Sequence, residues 1–298
     1  MLEPTLKYLL CPDAAARHQM AYWEWGKPDS THLVVCVHGL SRQGRDFDVL
    51  ARALVQRASG NLRVVCPDVV GRGKSDWLTD PMAYQVPTYA ADMVALLMHL
   101  KPATLDWVGT SMGGLIGMAI CGQAQLPLPA KVRKLVLNDV GPIIQWEFVQ
   151  RVKTYLGKPQ RFASVQQAAD AMWAISSGFG PHTPEQWLAL SRHMVTLIDD
   201  DSGEFELHYD PAIAVPVRAA TPESAAQGEA MLWHLYDAIS AETLLLRGAQ
   251  SDLLTPDAAQ QMMQRGPKAR LREFAGVGHA PTMIAPDQVE AVASFLLG

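Results

Sequence analysis

The pentapeptide Gly109-Thr110-Ser111-Met112-Gly113 constrains this chain more than any other stretch. It lies between two apolar runs, Leu105-Asp106-Trp107-Val108 and Leu115-Ile116-Gly117-Met118-Ala119-Ile120. The first run reads as a short buried strand and the second as a helix. A turn tight enough to join them brings backbone against backbone at 109 and 113, where only a residue without a Cβ fits. The serine is held at the apex of that turn. The helix that opens behind it aims its first N–H groups and its positive end at the same spot, which favours a developing negative charge. Gly-x-Ser-x-Gly arises by chance in roughly one chain in ten of ordinary composition. The surrounding elements and the downstream residues must therefore decide what it means.

The surroundings alternate strand and helix. Two β segments fill residues 6–25, the second ending before a Gly26-Lys27-Pro28-Asp29 turn. Residues 33–37 and 63–66 are continuous apolar runs of the kind buried on both faces of a parallel sheet. Residues 46–58 carry helical spacing, and Thr88 can cap a helix running to 100. A further strand is predicted over 132–138. After Pro142 the texture changes: helix-like stretches alternate with Pro and Gly breaks and no buried strand stands out. Residues 143–235 are accordingly expected to form a helical insertion, with 1–142 and 236–298 as the core. Strand and helix then resume at 243–246, 256–265, 269–274 and 286–297. This order predicts an α/β fold with a mostly parallel sheet covered by helices on both faces.

A serine hydroxyl is a weak nucleophile at neutral pH. It needs a histidine to accept its proton and an acid to hold that histidine. His279, in Gly276-Val277-Gly278-His279-Ala280-Pro281, follows the last strand. Asp252 follows the strand before it. Both loops leave the carboxyl edge of the sheet, as Ser111 does. Asp252 is taken as the acid, with Asp139, at the end of strand 132–138, as its rival. The oxyanion needs backbone donors. These are expected from Met112, next to the nucleophile, and from Leu40 in the His38-Gly39-Leu40 loop, which His38 shapes through hydrogen bonds. Gly73-Lys74-Ser75 is no phosphate loop, because the glycine required five residues earlier is Asp68. No histidine and carboxylate group has metal-ligand spacing, so no metal is expected.

These separated motifs, from His38-Gly39 through Pro67-Asp68 and Gly71-Arg72-Gly73-Lys74-Ser75-Asp76 to the serine turn, Asp252 and Gly278-His279, resemble the α/β-hydrolase fold superfamily over nearly the whole chain. The resemblance implies an eight-stranded, mostly parallel sheet flanked by helices, with a helical cap inserted after strand 6. It also implies an esterase-like serine hydrolase without metal or organic cofactor, acting on carboxylic esters through an acyl-enzyme. Dehalogenases and epoxide hydrolases of this fold carry aspartate where this chain has Ser111. Carbon–carbon hydrolases share Ser-Met-Gly-Gly, yet carry asparagine where Thr110 stands and a glycine-rich loop where Ser41-Arg42-Gln43 stands. Thioesterase, lactonase, carbon–carbon hydrolase and acyltransferase remain open with the same three residues, as does a small-ligand receptor of this fold.

An apolar substrate pocket is expected beneath the cap from Trp146, Phe148, Trp173, Phe179 and Trp187, with His38, Arg42 and Arg45 beside the oxyanion loop and the two arginines as candidate partners of a substrate carboxylate. The partner is thus a small ester or related acyl compound. A net charge of −5 with no basic run argues against nucleic acid. No apolar stretch is long enough to cross a membrane, and the N-terminus shows no secretory pattern. Four widely spaced cysteines fit a reducing, cytoplasmic setting.

Overall fold

The computed structural model describes residues 3–12 and 17–298. Met1 and Leu2, on which part of the N-terminal reading rests, lie outside them. The chain order is β1 (Thr5–Pro12), β2 (Arg17–Gly26), β3 (His32–Val37), α1 (Asp48–Arg57), β4 (Arg63–Pro67), α2 (Val86–Leu100), β5 (Thr104–Thr110), α3 (Met112–Gly122) and β6 (Val132–Asn138). Then come α4 (Trp146–Tyr155), β7 (Arg161–Phe162), α5 (Val165–Ser176), α6 (Pro184–Ser191), β8 (Val195–Leu197), β9 (Phe205–Leu207), α7 (Ala214–Ala219) and α8 (Pro222–Asp237). The chain closes with β10 (Glu242–Gly248), α9 (Pro256–Gln264), β11 (Arg270–Phe274) and α10 (Pro286–Leu297).

Eight strands form one sheet in the order β1-β2-β4-β3-β5-β6-β10-β11. Among the described residues only β2 runs against its neighbours, pairing antiparallel with β1 and β4; the rest are parallel. The central strands are apolar on both faces because helices cover both. On one side Leu50 and Leu54 of α1 meet Val292 and Leu296 of α10 over Val34, Val64 and Val136. On the other, α2, α3, α8 and α9 bury Met93, Ile116, Tyr236 and Met262. Each such fully buried apolar side chain contributes about 1.5–3 kcal/mol.

The serine turn is the tightest junction in this packing. A Cβ on Gly109 would stand 2.3 Å from the Gly113 carbonyl oxygen, and one on Gly113 would stand 2.0 Å from that of Val37. Trp107, fully buried on β5, slides beneath α3 because Gly117 has no side chain, and its indole N–H donates to the Gly113 carbonyl at 3.1 Å.

The inserted segment differs from the sequence reading in two respects. It contains a three-stranded antiparallel sheet, β7-β9-β8, with strands of only two or three residues, too short to leave a periodic signal. And α8, expected in the cap because 143–235 was assigned there, lies in the core layer. Trp233 and Tyr236 join the core cluster, and Gly122 of α3 touches α8 so closely that a Cβ would meet the Leu235 carbonyl at 2.4 Å. The part that stands over the sheet edge is α4 to α7. It has its own core of Phe162, Met172, Trp187 and Leu190. Among the described residues, no helix is long and apolar enough to cross a membrane.

Candidate active site

Ser111 caps α3 at φ 51° and ψ −116°, a conformation that side chains other than glycine seldom adopt. The surrounding backbone fixes it: its N–H donates to the Asn138 carbonyl at 3.0 Å, and its own carbonyl takes the Gly114 N–H at 2.8 Å. The hydroxyl therefore stands at the carboxyl edge of the sheet, with the first turn of α3 behind it.

His279, on the loop after β11, is 3.0 Å from the Ser111 Oγ through Nε2 and 2.8 Å from Asp139 Oδ2 through Nδ1. The expected acid was Asp252, and the structure corrects this. Asp252 forms no hydrogen bond or ion pair with the imidazole; its carboxylate is 52 % exposed and pairs with Arg151 of α4 at 2.7 Å. Asp139 is wholly buried. Its Oδ1 takes the Gly248 N–H at 2.8 Å, and its Oδ2 takes the Ser251 hydroxyl at 2.5 Å as well as His279. Ser251 in turn accepts the Leu253 and Leu254 N–H groups at 3.2 and 3.0 Å. The end of β10 and the loop after it thus supply hydrogen-bond donors to a carboxylate that follows β6. A buried carboxylate that faces the histidine must have such donors, because desolvation without them is costly. The pairing of Ser251 with Asp139 is the part that reading the sequence missed; Ser251 lay one residue from the aspartate that drew attention.

The loop before α1 is held from below. His38, fully buried, bonds Gly39 O through Nδ1 at 2.7 Å and takes the Val69 N–H on Nε2 at 2.9 Å. Burial pushes its pKa well below the usual imidazole value, with Arg72, His208 and Arg42 adding to the effect against the Gly39 bond, so the ring stays neutral. It shapes the loop and does not line the main cavity. Arg72, also fully buried, donates to the Leu40 carbonyl at 2.8 Å, to Val70 O at 2.8 Å and to the Tyr89 hydroxyl at 3.0 Å. With its carbonyl claimed by Arg72, Leu40 lines the same cavity as Ser111 and Met112.

Above Ser111 lies a cavity of about 520 Å³ between core and cap, lined chiefly by apolar side chains such as Val140, Phe148, Val152 and Leu253. Of the expected aromatic lining, Phe148 and Phe179 are there, and Phe148 meets His279 edge-on with centroids 5.0 Å apart. Trp146, Trp173 and Trp187 do not line it. Trp146 stacks under Lys153, while Trp173 packs on Trp187, whose indole N–H donates to Ala169 O at 2.8 Å inside the cap. Arg42 lines the cavity yet gives Nε and Nη2 to the two oxygens of Asp46; Arg45 is turned away, forked onto Asp48 and laid over Trp23.

Cap and core are tied at several points. His208 takes the Gly73 N–H at 2.7 Å, Asp210 takes the Tyr84 hydroxyl at 2.6 Å, and His182 bonds Thr282 at 2.9 Å. Burial, reinforced by Arg42, depresses the His208 pKa to about 3. One cluster that sequence spacing did not reveal joins Cys11 of β1, His18 of β2 and Asp92 of α2, with donor atoms within 4.8 Å of one another. His18 and Asp92 are bonded at 2.9 Å, and burial together with Asp92 pushes the Cys11 thiol far above its ordinary range. A thiol kept protonated beside a closed histidine–aspartate pair is a packed polar cluster.

Comparison with known proteins agrees with this fold. Residues 34–293 match the model of the alpha/beta hydrolase family. A 3-hydroxybutyrate-oligomer hydrolase from Cupriavidus necator is 47 % identical over 99 % of this chain and 98 % of its own. A 2-hydroxymuconate semialdehyde hydrolase from Pseudomonas putida is 25 % identical over 75 % of this chain and 72 % of its own. Among solved structures, an alpha/beta hydrolase from Novosphingobium aromaticivorans superposes with a TM-score of 0.83 at 32 % identity, covering 100 % of this chain and 99 % of that one. With its eight-stranded sheet, its serine turn and a family match that spans most of its length, the chain belongs to the alpha/beta hydrolase family.

Proposed function

We propose that the protein is a serine hydrolase that cleaves the ester bonds of short 3-hydroxyalkanoate oligomers through an acyl-enzyme. The observation that carries the reading is His279 bridging Ser111 Oγ and buried Asp139 beneath an apolar cavity. The likeness to the 3-hydroxybutyrate-oligomer hydrolase supports the substrate class. Such oligomers are chains of ester links with methyl side groups, which suit a cavity of mainly aliphatic and aromatic lining.

His279 Nε2 takes the Ser111 proton as Oγ bonds to the ester carbonyl carbon. Asp139 holds Nδ1–H and stabilises the imidazolium. The Met112 and Leu40 N–H groups take the oxyanion, each worth about 3–4 kcal/mol in the transition state. The carbon–oxygen bond to the alcohol then breaks, and the departing oxygen takes the proton from His279. A water loses a proton to the same nitrogen, adds to the acyl carbon and releases the acid, with Oγ recovering its proton. One water is consumed, and one acid and one alcohol are formed.

Purified protein with linear dimer and trimer of 3-hydroxybutyrate should release monomer. Ser111→Ala should lower kcat by at least about a thousandfold. Turnover retained in the alanine variant would sink the proposal.

A further inference from the structure

Two guanidinium groups line the cavity, and they are not equivalent. Arg42 is committed: both prongs of its fork hold Asp46 on its own loop, at 2.6 and 2.8 Å, and it lies against the Phe179 ring. Arg151 is not. It projects from α4 of the cap, is 42 % exposed, and gives Nη2 alone to Asp252 at 2.7 Å. A guanidinium is built to take both oxygens of a carboxylate through two parallel bonds. Its Cζ lies 4.9 Å from the Phe148 centroid, and that ring meets His279 edge-on. Arg151 therefore stands one aromatic ring away from the imidazole, where the apolar cavity meets solvent.

We propose that Arg151 binds the free carboxylate at the acid end of the substrate, and that Asp252 is the internal carboxylate it exchanges to do so. The inference rests on the ester-hydrolase reading above. An ion pair this exposed is weakly held, so a substrate carboxylate can displace Asp252 at a cost of about a few-fold in affinity. The chemistry then has a direction. The ester bond broken is the one whose alcohol side leads to the held carboxylate, so the first product to leave is a hydroxy acid and the acyl portion remains on Ser111. The substrate class is thus an ester of a short hydroxy acid with its carboxyl group free. Neutral esters lose this contact.

The test uses the linear 3-hydroxybutyrate dimer as the free acid and as its terminal methyl ester, reading cleavage of the internal ester, with p-nitrophenyl butyrate to report the nucleophile. The free acid is expected to have a KM about tenfold below that of the methyl ester, the size of one charge-assisted contact. Arg151→Met should raise the free-acid KM to that of the methyl ester, and Arg151→Lys should restore part of the difference. Asp252→Asn, which removes the competing carboxylate, should lower the free-acid KM. Equal KM values for the two dimers in the wild type would overturn the assignment of Arg151. So would a preference that survives Arg151→Met, or a free-acid KM that does not fall in Asp252→Asn. If p-nitrophenyl butyrate is turned over through Ser111 while the dimers are not distinguished, only the Arg151 subsite fails. If none of the three esters is turned over, the ester-hydrolase reading fails with it.

Discussion

Asp139 and Asp252 leave the carboxyl ends of adjacent strands, β6 and β10, yet their surroundings are opposite. Asp139 is sealed from water, sits at φ 55°, and has its oxygens occupied by a backbone N–H, a hydroxyl and the imidazole. Asp252 is half in solvent and holds one surface arginine. Identical side chains at the ends of adjacent strands thus sit in unlike surroundings. What separates them is the supply of hydrogen bonds, since a carboxylate buried beside a histidine is tolerable only where donors replace its water. Ser251 is such a donor, and it belongs to the same loop as Asp252.

The comparison is broken most directly by exchanging the charges. Asp139→Asn should lower kcat by about 10³–10⁴-fold, because the amide cannot hold the imidazole in the required tautomer. The loss in Asp252→Asn should be smaller by more than about a hundredfold. Steady-state kinetics on the dimer measure both, and a larger loss in Asp252→Asn would reverse the assignment. A smaller effect is expected at the donor. Ser251→Ala leaves Asp139 one bond short and should reduce kcat about tenfold with KM little changed, the scale of one hydrogen bond to a charged group. If KM alone moved, Ser251 would be shaping the cavity and not the acid.

The same contrast between buried and exposed recurs where the cap meets the core. His208 is buried with Nδ1 accepting from Gly73, whereas Arg151 and Asp252 meet in solvent. With its folded pKa near 3, His208 stays neutral while the unfolded chain takes up a proton below the ordinary value of 6.5. Its contribution is complete above pH 6.5 and drains away as the pH falls towards 3, by at most about 1.4 kcal/mol per pH unit. Denaturant titrations between pH 7 and 4 should therefore show a shallower acid slope in His208→Gln than in the wild type. Equal slopes would mean that other groups carry the acid sensitivity.

The strands of the main sheet and the serine turn were legible because their signals are local: continuous apolar runs, and glycines where backbones touch. The choice of acid was not, because two aspartates follow two adjacent strands, and only tertiary packing shows which one faces inward. The position of α8 was hidden for a similar reason. An apolar stripe announces that a helix is buried, without telling whether it lies on α3 or over the site. Arg42 and Arg45 looked available on the loop beside Ser111; that each is forked onto an aspartate three or four residues along emerges only from the shape of the turn at 44–48.

His279 hangs from the loop after β11, and β11 is an edge strand, bonded on one side only to β10. Ser111 and Asp139 follow β5 and β6 in the middle of the sheet. Edge elements open at lower free energy than central ones. Heat or denaturant is therefore expected to part His279 from Ser111 and Asp139 before the sheet itself gives way, so inactivation should precede unfolding. Loss of activity would then be the earlier gauge of damage.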